Sequence, residues 1–61
     1  MSWRGTPDEA IVYSAAAIVV EQAGCSTDDA IDKIRDRAAA VSRTVPDTAR
    51  LIVAGVVRFD A

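Results

Sequence analysis

Residues 6–24 read "TPDEAIVYSAAAIVVEQAG", and this stretch decides the fold. It opens on a helix start. Thr6 can cap, Pro7 suits the first helical position, and Glu9 completes a capping box with Thr6. Asp8 and Glu9 favour the positive end of a helix dipole. Gly24 is a natural C-terminal stop. The reading is a helix over residues 7–23.

On a wheel of about 100° per residue, Ile11 and Ile18 share one direction, Val12 and Val19 the next, and Tyr13 and Val20 the one beyond. Polar residues keep only a narrow strip, Ser14 and Glu21, with Ala10 and Ala17 beside it. A helix packed on one side needs an apolar stripe of roughly 100°, and this one is about twice as wide. The surplus predicts a second chain, most simply a copy around a two-fold axis. The expected seam is Val12, Ala15, Ala16 and Val19, the alanines letting two helices approach closely.

Working outward, "STDDA" is the second helix start, with Ser26 as cap and Asp28 and Asp29 in the first turn. The spacing predicts a helix over residues 27–41. Ala30, Ile31, Ile34, Ala38 and Val41 form its buried stripe, and Asp29 and Lys33 an i,i+4 ion pair. The third start is "TVPDTA", capped by Thr44 with Pro46 in the first turn. It predicts a helix over residues 45–54, with Ala49, Ile52, Val53 and Val56 facing inward and Phe59 packing back from the tail. No stretch alternates as a strand. The expected fold is all-α, a three-helix bundle in a single domain over residues 1–61.

A chain of 61 residues holds one domain at most. Domains of this size bury only about 60% of their unfolded surface and usually need disulfides, a metal or association. Cys25 is the only cysteine and there is no histidine, so association is the remedy that remains. A lone thiol without a secretory signal points to a reducing, cytoplasmic setting. The longest apolar run is well short of the roughly 20 residues of a membrane span. The opening "MSWRGTPDE" carries its own start and cap signals, as expected of a short stand-alone protein.

Residues that carry chemistry are sparse. No serine has a base in sequence reach, the carboxylates cluster at helix starts where the dipole explains them, and no glycine-rich phosphate loop exists. Neither an enzyme, a cofactor, a metal nor a small-molecule substrate is expected. The net charge of −2 argues against a strongly basic nucleic-acid binder. Yet Lys33, Arg35, Arg37 and Arg43, four of the seven basic residues, fall close together. They could contact phosphates or stack on an unpaired base. They could equally complement the negative end of a helix dipole, the reading composition alone favours.

The pattern from Ala15 onward, "AAAIVVEQAGCSTDDAIDKIRDRAAAVSRTVPDTARLIVAGVVRFD", resembles the ANTAR domain, the RNA-binding output module of bacterial transcription antitermination regulators. The likeness runs through Ile18-Val19, Gly24, Ser26, Asp29-Ala30, Ile34-Arg35, Ala38, Arg43, Val45, Asp47, Ala49 and Ile52-Val53. One departure is clear: the family's Lys-Gly step in the first helix is Ala16-Ala17 here. The resemblance implies a three-helix fold, often dimeric, whose regulators bind paired RNA hairpins and keep a terminator from forming. It implies Arg35 and Arg43 as RNA-binding residues, with Lys33 and Arg37 as supports. Two readings follow: a stand-alone RNA-binding homodimer, or an interaction module of the same fold without RNA binding. The latter would pair with itself or with a partner carrying an ANTAR or sensor domain.

Overall fold

The computed structural model describes residues 2–60, and among them the order is α1 (Asp8–Ala23), α2 (Thr27–Ala40) and α3 (Val45–Val53), with no strand. The fold is an all-α, three-helix bundle, as expected. The chain turns by 102° between α1 and α2. α1 is the central element, packing most extensively on α3 and then on α2. No single helix among the described residues is long and apolar enough to cross a membrane.

Local chemistry sets the boundaries. Ser26 accepts from the backbone N–H of Asp29 at 3.1 Å, and Thr44 from that of Asp47 at 3.2 Å. Each cap satisfies a donor the helix itself cannot pair, worth about 1 kcal/mol. The start of α1 differs from the expected capping box. Pro7 is the N-cap residue and makes no side-chain cap. Glu9 reaches one residue further back, accepting from the N–H of Gly5 at 3.2 Å, while the Thr6 hydroxyl turns away to donate to the Trp3 carbonyl. Gly24 stops α1 in the left-handed region at φ 64°, where a Cβ would be strained.

The core is one cluster drawn from all three helices: Val12, Ala15, Ala16 and Val19, then Ala30, Ile31 and Ile34, then Ala49 and Ile52. On α1 the buried positions follow the i, i+3, i+4, i+7 pattern of a single face. Trp3, Ile11, Ile18, Val20, Val57 and Phe59 pack around the cluster, partly buried. Phe59 returns as expected, its N–H donating to the Gln22 side-chain oxygen at 2.9 Å. Thr48 is the buried polar residue, and its hydroxyl donates to the Thr44 carbonyl at 3.0 Å.

Several expectations need correction. Val12, Ala15, Ala16 and Val19 are completely buried within their own chain, so none can offer surface to a second copy. The wheel's surplus disappears because α2 and α3 cover α1 from two sides, leaving Tyr13 as the large apolar residue of α1 that stays exposed. Val41 does not extend the α2 stripe; the helix ends at Ala40 and Val41 is exposed. Val53 and Val56 also face solvent, Val56 at 70%: Val53 lies about 100° round α3 from the buried Ile52, and Val56 falls beyond the end of the helix. Asp29 and Lys33 form no ion pair among the described residues; Arg35 instead meets Asp32 at 3.5 Å.

Candidate nucleic-acid interface

The end of α2 builds the main surface feature. Ser42 sits in the left-handed region at φ 56°. Its N–H donates to the Ala39 carbonyl at 3.3 Å, and that of Arg43 to the Ala38 carbonyl at 2.9 Å. This crossed pair is the Schellman closure, which normally takes a glycine at the left-handed position. α3 ends in the same way around Gly55, with Gly55 and Val56 donating to Ile52 and Leu51. At α2 a serine takes that place, at a backbone cost of roughly 1–2 kcal/mol. The closure fixes the backbone of Arg43 against the last turn of α2, two residues before α3 begins.

Beside this turn lies an open groove of about 650 Å³. Its walls come from the arm before α1 (Trp3, Thr6), from α2 (Arg35, Ala38), and from the turn and the start of α3 (Arg43, Pro46). The volume falls within the roughly 300–1,000 Å³ of ligand sites. Three arginines line it, Arg35, Arg43 and Arg50, against Asp8 and Asp47. Arg50 holds both carboxylates, Asp8 at 2.8 Å and Asp47 at 3.1 Å, tying the start of α1 to α3. All three side chains are about half exposed, so the triad adds little stability. It does leave Asp8 and Asp47 both paired to Arg50, so that Arg35 and Arg43 give the groove its net positive charge. Arg43 has no ion-pair or hydrogen-bond partner for its guanidinium among the described residues. Arg35 has only the longer, exposed contact to Asp32.

The four cations singled out in the sequence do not form one surface. Arg35 and Arg43 line the groove. Lys33 and Arg37 line a separate hollow of about 350 Å³ with Asp36, Ala40 and Phe59. Helical rotation separates them, since residues two apart lie about 200° around the axis. Arg37 rests over the Phe59 ring, 5.3 Å from its centroid.

Trp3 is the groove residue that the sequence reading missed. The Thr6 N–H, at 3.3 Å, and the Thr6 hydroxyl both donate to its carbonyl, which fixes the arm. The indole meets Tyr13 edge-on with centroids 5.8 Å apart, and the Arg4 guanidinium lies over it at 4.7 Å. The only local signal was an aromatic beside an arginine in "SWRG". That it lines the same groove as Arg43 is a long-range consequence of helix packing.

Other groups offer less. No set of His, Cys, Asp and Glu among the described residues could hold a metal. Cys25 is half-buried beside the core. In the exposed tail, hydrogen bonds from Arg58 at 2.7 and 3.1 Å hold the Asp60 carboxyl below the usual carboxylate range. Comparison with family models, with curated proteins and with solved structures finds no match to this chain.

Proposed function

We propose that this chain is an RNA-binding regulator of the ANTAR type, gripping unpaired RNA in the groove at the start of α3. The observation that supports this is the convergence of Arg35 and Arg43, the two arginines implied by the family resemblance, with an aromatic ring on one groove. Single-stranded RNA is recognised by cations that track its phosphates and by aromatic or guanidinium planes on which bases stack. A guanidinium without a carboxylate partner, like that of Arg43, can take a phosphate without first breaking an ion pair.

Regulation would be positional. Holding the loop of one RNA hairpin favours the fold that contains it over a competing terminator. Gripping paired hairpins takes two copies of the chain. Their contact would use residues outside the core, of which Tyr13, Val41, Val53 and Val56 are the exposed large apolar ones.

The test is binding to a pool of RNA hairpins with randomised loops as salt rises. For the two phosphate contacts of Arg35 and Arg43, log K should fall against log salt with a slope of roughly −1.4 per subunit. Absence of binding even at low salt would end this reading. It would favour a module that pairs only with proteins.

A further inference from the structure

We infer that Trp3 is the stacking platform for an unpaired base of the bound RNA, with Arg43 and Arg35 holding the phosphates on either side of that base. The inference rests on the RNA-binding reading and assigns the base-recognition element within it.

Three observations carry it. First, Trp3 is only partly buried and lines the groove together with Arg35 and Arg43. Neither Arg4 nor Tyr13 lines that groove, so the two groups that hold the ring grip it from outside. Second, the ring is fixed before any ligand arrives. Its carbonyl accepts twice from Thr6, its ring meets Tyr13 in a T-shaped pair, and the residue packs on the core cluster. A platform held this way loses little side-chain freedom on binding, which favours affinity. Third, Arg4 already shows that the indole attracts a flat cationic group. An aromatic base on the groove side would be a stronger partner than Arg4 is on the other: exposed cation–π contacts are weaker than base–aromatic stacking. Ala38, Val45 and Pro46 add an apolar patch to a wall that is otherwise polar, and that patch suits the edge of a base rather than a phosphate.

Trp3 is the only tryptophan in the chain, so its fluorescence reports from this groove alone. The experiment titrates the full chain with two hairpins of equal length, one with intact loop bases and one with an abasic loop. Both keep their phosphates. The intact hairpin should quench Trp3 fluorescence and bind roughly tenfold tighter, whereas the abasic hairpin should bind without quenching. Trp3→Ala should bind the intact hairpin no better than the wild-type chain binds the abasic one, and Trp3→Phe should recover part of the difference. Equal affinity for both hairpins with unquenched fluorescence would overturn the stacking role and leave the RNA-binding reading in place. Binding to neither hairpin at low salt would remove both. Because the abasic comparison uses the unaltered chain, it decides the question even if Trp3→Ala fails to fold.

Discussion

Replacing Ala16 with lysine should unfold the chain. Position 16 is where the family pattern carries its lysine, yet Ala16 is fully buried and sits in the core cluster. A lysine there must fill space that a methyl group already fills, at about 1–3 kcal/mol for overpacking. It must also bury a charge or lose a proton, and a buried lysine's pKa drops by up to about 3–5 units at 1.36 kcal/mol each. A single core of this size rarely supplies more than about 3–5 kcal/mol in total. The penalties exceed that. The neighbouring Ala17 is exposed, so Ala17→Lys should change stability by no more than about 0.5 kcal/mol. Circular dichroism and thermal melting of the two variants check this. A folded Ala16→Lys chain melting like the unaltered one would mean that the α1 face toward the core is misassigned.

Truncating Ile34 to alanine should have the next largest effect. Ile34 is the largest completely buried side chain of α2 and lies one turn from Ala30 and one from Ala38. Small residues on either side cannot swing in to fill the hole. Isoleucine-to-alanine changes in cores cost about 2–5 kcal/mol, and the upper half of that range applies where a site cannot collapse. Against a total of about 3–5 kcal/mol, most molecules should be unfolded at 25 °C. Urea titration measures this directly. Val53→Ala is the control: Val53 is 45% exposed, and its loss should shift the midpoint only slightly. Equal losses for the two variants would contradict the buried stripe described for α2.

The helices were legible because their signals are local. Ser26 and Thr44 cap the residues three positions on, Gly24 and Gly55 take left-handed conformations at helix ends, and the α2 stripe repeats at three and four. What misled was anything that depends on where the other helices lie. The wheel counted the apolar residues of α1 correctly but could not register that α2 and α3 together cover them, and so it turned a core face into a dimer seam. The cations from Lys33 to Arg43 cluster in sequence, yet the helix divides them between two sides. Trp3 gave no periodic signal, because the arginines it joins in the groove lie more than thirty positions away.

The groove at the start of α3 is tested most directly by two double variants measured side by side. Arg35→Ala with Arg43→Ala, and Lys33→Ala with Arg37→Ala, remove the same charge from the two different hollows, so general electrostatic attraction falls equally in both. All four side chains are exposed, and both variants should stay folded. Affinity for the randomised-loop hairpin pool at low salt should fall roughly tenfold or more for the Arg35 and Arg43 pair, since charge-assisted hydrogen bonds are worth about 1.5–3 kcal/mol each. It should fall by no more than a few-fold for the Lys33 and Arg37 pair. Equal losses, or a larger loss for Lys33 and Arg37, would contradict the account and move the binding surface to the Phe59 side of α2.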